Sequence, residues 1–278
     1  MKRKRILSLV LTGVLALGLI GCGQTKASDE KTTTGGEDKT ITVGATPVPH
    51  AEILNAIKGD LEAKGYTLEI VEYTDYVTPN TALADGDLDA NYFQHIAYLN
   101  ETNEGKGLDL TYTKAIHLEP MGAYSNTIKN LDELKEGARV AVPNDPSNEA
   151  RALRLLEKAG LIKIADGELV TVKDITENPK NLEFEELEAA QLPRVLEEVD
   201  LAVINSNYAL EANLNPAKDA LVLEDKDAEA AENYRNVLAV RKGTENDEKI
   251  KALTEALTSE TAKKFIEEKY AGSVIPSF

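Results

Sequence analysis

Residues 87–98 read DLDANYFQHIAY. A polar turn of Asp85, Gly86 and Asp87 gives way to Leu88 and Ala90, then to Tyr92, Phe93, His95 and Tyr98. The whole chain holds 4 Phe, 10 Tyr and no Trp, so aromatic material is concentrated at this point. Two arrangements fit the stretch. Its rings fill a core, or a strand end delivers Tyr92, Phe93 and His95 into a cleft at the carboxyl edge of a sheet.

Upstream, Thr40–Ala45 (TITVGA) reads as a strand, and Pro47 and Pro49 break the chain before an amphipathic helix. Ile53, Leu54, Ile57 and Leu61 recur at helical spacing, and Gly65 closes the helix. Thr67–Tyr73 (TLEIVEY) alternates as a strand, and Pro79–Ala84 starts a short helix. This order predicts an α/β lobe with a largely parallel sheet. Downstream, Asp109–His117 is a strand, Glu119–Gly122 interrupts it, and Ala123–Ser125 continues in extended form, as a crossing between lobes would.

A second α/β unit then starts afresh. It has a helix at Leu131–Leu134, a strand at Ala138–Val142, and a helix from about Asn148 to Ala159 with Ser147 as N-cap. Strands follow at Val170–Ile175 and Leu182–Leu187, then a helix through Pro193 and Leu196. The apolar run Leu201–Ile204 (LAVI) has the look of a strand buried on both faces, and Tyr208–Leu214 reads as helix. The strand Asn236–Val240 is the expected return crossing, and helices at Asn246–Leu257 and Ser259–Tyr270 complete the first lobe. A length of 278 residues suits two such lobes, expected over 40–123 plus 237–278 and over 124–236.

The N-terminus belongs to neither lobe. Lys2–Arg5 form a basic region, Ile6–Ile20 is an apolar run too short for a confident membrane span, and Leu19-Ile20-Gly21-Cys22 follows the pattern of a bacterial lipobox. Residues 1–21 therefore read as a lipoprotein signal peptide, and Cys22, the single cysteine, as the acylated residue. Residues 22–39 lack apolar periodicity and read as a tether, which predicts a lipid-anchored protein on the extracytoplasmic side of the cell membrane. Removing residues 1–21, with four basic and no acidic side chains, takes the formal charge from −17 to −21. So acidic a chain, with no basic stripe, excludes nucleic acid as a partner.

Three positions point to small-molecule binding. Arg151 sits near the start of its helix, where the dipole disfavours a cation unless an anion is at hand. Its other reading is a solvated stripe with Arg154 and Lys158. Asn205 follows the LAVI strand, at the strand end where open α/β sheets bind ligands, although a turn-forming Asn reads the same way. Asn236 stands at the return crossing, for a ligand or for a bend. His50, His95 and His117, with Glu119 near the last, form the one candidate zinc set, yet no two of these histidines are close in sequence. There is no Gly-x-Ser-x-Gly elbow and no glycine-rich phosphate loop, so no enzyme and no cofactor is expected.

Ten ordered strings sharpen this reading: VGATPVPHAEIL, DYVTPN, ALADGDLDANYFQH, HLEPMGAYS, AVPNDPSN, NPKNLEF, QLPR, AVINSNYA, LNPAKDA and NVLAVRKG. They run from Val43 to Gly243, and through them the chain resembles the methionine-binding, NlpA-type lipoproteins of bacterial ABC importers. The resemblance implies a two-lobe architecture of the type II periplasmic-binding kind and a non-enzymatic receptor that passes methionine, in L or D form or as a close relative, to a membrane permease. It implies a thioether pocket of Tyr76, Phe93, His95 and Tyr98, with Arg151 on the carboxylate and Asn205 and Asn236 on the amino-acid head. Glu119 is a further candidate for the ammonium. A zinc-capturing lipoprotein using His50, His95 and His117 is the competing expectation.

Overall fold

The computed structural model describes residues 39–227 and 229–278; the expected signal peptide, Cys22 and the tether up to residue 38 lie outside the described residues. The strands are β1 (Thr40–Ala45), β2 (Thr67–Glu72), β3 (Ala90–His95), β4 (Leu110–Leu118), β5 (Gly122–Tyr124), β6 (Arg139–Pro143) and β7 (Lys163–Ile164). They continue as β8 (Ile175–Glu177), β9 (Glu183–Leu187), β10 (Leu201–Ile204), β11 (Val222–Leu223), β12 (Arg235–Arg241) and β13 (Ile275–Pro276). Two sheets carry the architecture, one in the order β13-β4-β12-β3-β1-β2 and the other in the order β11-β5-β10-β6-β9. The result is the expected α/β fold with two lobes.

In the first sheet β1 pairs in parallel with β2 and β3, while β12 lies antiparallel between β3 and β4. The sheet is therefore mixed, not largely parallel as expected. The reason is topological: β12 arrives late in the chain and inserts against the direction of the early strands. Ile53, Leu54, Ile57 and Leu61 point into this lobe's core, where they join Leu253, Leu257 and Ile266 of the C-terminal helices Glu248–Leu257 and Glu260–Tyr270. In the second sheet β6, β9 and β10 are parallel. All four residues of β10 are buried, which is why that run carries no polar alternation.

Several local expectations change. The Pro146–Lys158 helix is capped by Asp145, which accepts from the Asn148 N–H at 3.0 Å; Ser147 lies inside the helix and donates its hydroxyl to the same carboxylate. A carboxylate caps at least as well as a hydroxyl and suits the positive helix end. Of the expected strand Val170–Ile175 only Ile175 is in a strand, as the first residue of β8, because Thr171 and Asp174 close a capping box that bends the rest into a 3-10 turn at Val172–Asp174. The segment expected as a helix at Leu131–Leu134 forms a 3-10 turn at Leu131–Glu133, and the one expected through Pro193 and Leu196 is a run of turns that follows a 3-10 turn at Ala189–Gln191.

One irregularity lies where the opening stretch matters most. Opposite β12, His95 pairs with Asn236 and Gln94 with Val237, but Leu238 pairs with Tyr92. Phe93 is the extra residue of a bulge, a device that re-aims side chains beside sites.

Candidate ligand-binding cleft between the lobes

Tyr92 settles as core: it is fully buried and its hydroxyl bonds His117 Nδ1. Phe93 and Tyr98 are buried and Tyr76 half-buried, and their rings form a connected wall with centroids 5.6–6.0 Å apart. The Tyr98 hydroxyl donates to the Tyr76 carbonyl at 2.9 Å, and the Tyr76 hydroxyl reaches across to Asn207 Oδ1 at 2.5 Å. His95 ends β3 and caps the next helix, its Nδ1 accepting from the Tyr98 N–H at 3.1 Å while Nε2 meets Asn148 Oδ1 at 3.1 Å. Burial, with Arg151 nearby, lowers the His95 pKa to about 3, so the ring is neutral at physiological pH.

The facing wall is polar. Arg151 is 3% exposed, so it does not lie on a solvated stripe; Lys158, on the same helix, does. Its Nε donates to Glu224 at 3.0 Å, its Nη2 donates to the Glu119 carbonyl at 2.8 Å, and its guanidinium stacks on Tyr234, 4.2 Å from the ring centroid. Such a charge is tolerable at this depth only because it is paired and hydrogen-bonded. Asn205 donates to Asn148 Oδ1 at 2.8 Å. Its own Oδ1 and the Nδ2 of Asn207 are buried without a protein partner, two of three such side-chain atoms among the described residues.

Beneath the crossing strands, Glu119 accepts from His117 Nε2 at 2.7 Å and lies 3.2 Å from His50 Nε2, which also meets Asn236 Oδ1 at 3.0 Å. Burial raises the Glu119 carboxyl and lowers His50 to about 4 and His117 to about 3. Among the described residues, the group compact enough to hold a metal is His50, His117 and Glu119, within 4.8 Å of one another. The expected zinc set of His50, His95 and His117 is not assembled: His95 is committed to Asn148 and Tyr98 instead.

Tyr76, Phe93, His95, Tyr98, Arg151, Asn205 and Asn236 all line one cavity, joined by Gln94, Glu119, Asn148, Ser206 and Asn207. Rings on one side and fixed polar groups on the other give the cavity the chemistry suited to a small amphiphilic molecule.

The family model described as NlpA lipoprotein matches residues 41–278. The chain belongs to the NlpA lipoprotein family. Among its relatives in that family, the methionine-binding lipoprotein MetQ of Bacillus subtilis is 44% identical over 277 residues, 97% of this chain and 96% of that protein. The D-methionine-binding lipoprotein MetQ of Escherichia coli K12 is 40% identical over 264 residues, 94% and 93% of the two chains. Among solved structures, a nutrient-binding protein of Burkholderia cenocepacia bound to methionine superposes with a TM-score of 0.82 at 44% identity, covering 86% of this chain and all of that one. A lipoprotein of Ruminococcus gnavus reaches 0.85 at 52% identity, with 86% and 100% covered. No helix among the described residues is long and apolar enough to cross a membrane.

Asn148, Asn207 and Glu224 escaped the sequence reading. Asn148 and Asn207 stand three residues from Arg151 and two from Asn205, inside strings quoted for the family, and that proximity was the available signal. Glu224 had none, because it lies seventy-three residues from the arginine it pairs with.

Proposed function

We propose that this NlpA-family chain is the non-enzymatic receptor of an ABC importer, holding methionine or a close relative between its lobes and delivering it to a membrane permease. The observation that carries the reading is the pair of buried atoms without protein partners, Asn205 Oδ1 and Asn207 Nδ2, on residues that share one cavity with Arg151 and the aromatic wall. Leaving such atoms unpaired costs about 1–3 kcal/mol each, which a zwitterionic head repays on binding. In this reading Arg151 takes the α-carboxylate on the side that Glu224 leaves open, while Asn205 and Asn236 bond the head group. The sulfur packs against Tyr76, Phe93, His95 and Tyr98, whose ring edges suit a polarizable thioether. Ligand contacts to both lobes favour the closed form, and only that differential affinity drives the change the permease reads.

Residues 1–21 act as the signal peptide in this proposal, Cys22 carries the lipid, and 22–39 form the tether on the extracytoplasmic face. The lobes are 40–123 plus 237–278 and 124–236 in this proposal; the two sheets support that division to within a few residues, since β5 pairs wholly in the second sheet and β12 wholly in the first. Calorimetry on the fragment 23–278, stripped of co-purified ligand, tests the receptor reading. Tight binding of a methionine isomer or a methionyl dipeptide is expected, and its absence for all of them overturns the proposal. One bound zinc per chain with no thioether ligand would instead favour metal capture. The mass of the native N-terminus tests the anchor, and an unmodified Cys22 overturns it.

A further inference from the structure

The side-chain amide of asparagine has a donating and an accepting end of nearly the same shape, and its neighbours decide which end faces where. In the cleft those neighbours leave no choice. The Asp145 carboxylate takes Asn148 Nδ2 at 2.9 and 3.1 Å, and a carboxylate accepts only. From the opposite side, His95 uses Nδ1 to accept the Tyr98 N–H, so the single proton of its neutral ring is on Nε2 and points at Asn148 Oδ1. Two independent contacts thus fix the same orientation of Asn148. Its oxygen also accepts from Asn205 Nδ2, which leaves Asn205 Oδ1 as a buried acceptor without a protein partner.

We propose that Asn148, held by Asp145 and His95, is a positioning residue that commits Asn205 to accept a hydrogen bond in the cleft, and so selects ligands that carry a free ammonium. The proposal rests on the receptor reading above and deepens it. A ligand with a carbonyl in place of the ammonium sets oxygen against oxygen at Asn205 and is rejected, in the way a site built for one hydrogen-bonding group rejects an analogue lacking it. An Asn205 free to turn would offer its NH2 to that carbonyl and lose the discrimination.

The test is calorimetry with methionine and with its 2-oxo acid on wild type, Asn148→Ala, Asn205→Ala and the double variant. Asn148→Ala is expected to weaken methionine binding about tenfold and to narrow the preference over the oxo acid about fivefold, as loss of one directed charge-assisted bond does. In the double variant the further loss beyond Asn205→Ala alone stays within about twofold, because Asn148 acts through Asn205. Losses that multiply, or an unchanged preference in Asn148→Ala, overturn the proposal. The ring nitrogen resonances of His95 in ligand-free wild type read the lock without any variant or ligand: the Nε2–H tautomer is expected, and the Nδ1–H tautomer overturns it. A wild type that binds no methionine isomer defeats the receptor reading, and the tautomer still decides the lock.

Discussion

On the six-stranded side of the cleft, Phe93, Tyr76 and Tyr98 lean ring against ring, and both tyrosine hydroxyls already have partners within the protein. On the other side, Arg151, Asn205 and Asn207 are anchored from behind, yet an acceptor and a donor are left over where a ligand would sit. The aromatic wall is complete without a ligand; the polar wall is not. Apolar contact is non-directional and degrades by degrees, whereas a buried polar group is satisfied or orphaned. The two walls should therefore answer substitution on different scales, and that contrast is open to attack.

The largest effect belongs to the polar wall. Arg151→Ala removes the partner of a ligand carboxylate at a buried position and should cost about 2–5 kcal/mol of methionine affinity. Calorimetry with methioninamide supplies the control: lacking the carboxylate, it should bind wild type and variant almost alike. A loss below about fivefold for methionine would mean that the Glu224 pair has another purpose.

Arg151 also shows how far the sequence could be read. Helical spacing places it near Arg154 and Lys158, so local pattern alone could not separate a ligand clamp from a solvated stripe. What buries it is a set of distant partners, Glu224, Tyr234 and the Glu119 carbonyl, brought to it by β11, β12 and the crossing after β4. Asn205 was easier, because a polar residue ending a continuous apolar strand is itself unusual. The strand–helix order of the first lobe was legible from period and breakers, but the insertion of β12 against β3 was not, since pairing direction is non-local. The bulge at Phe93 follows from that pairing and was equally out of reach. At Val170–Ile175 the apolar residues suggested a strand, and a local capping box outweighed them.

The next largest effect lies behind the aromatic wall. Asn80, Asn91 and Gln94 form a buried, mutually bonded amide triad tying the Thr78–Asp85 helix to β3, so it supports both the Tyr76 turn and Phe93. Asn80→Leu strands Gln94 Oε1 and should cost about 2–3 kcal/mol of stability, seen as a lower urea midpoint with an unchanged slope. If stability falls while methionine affinity holds, the triad serves the fold alone and the aromatic wall does not depend on it for shape.

A smaller effect lies beneath both walls and is read by pH. His117 is fully buried and its folded pKa is near 3, against 6.5 for the free side chain, with burial as the cause. Below pH 6.5 the unfolded chain gains a proton there that the native state refuses, so stability drains away as pH falls from 6.5 toward 3. Between pH 7 and pH 5 wild type should lose about 1–2 kcal/mol more than His117→Gln, measured from urea midpoints at each pH. Equal losses would show that His117 protonates in place. The Glu119 carboxyl, raised by burial, works in the opposite sense and is present in both proteins.

The smallest effect should come from the aromatic wall. Norleucine replaces the sulfur of methionine by a methylene of similar size, so it keeps every head contact and the apolar fit while giving up the sulfur–ring contact, about 0.3–1.5 kcal/mol. Wild type should prefer methionine by about threefold to tenfold. Phe93→Leu keeps an apolar side chain at the bulge but removes one ring, so methionine should weaken severalfold while norleucine changes less, and the preference should shrink toward unity. Competition calorimetry of the two ligands on both proteins reads the ratio directly. A preference that survives Phe93→Leu and also a Tyr98→Leu change would place the sulfur elsewhere. The rings of residues 92–98 would then be packing for the lobe, and the whole selectivity of the cleft would fall to the polar side.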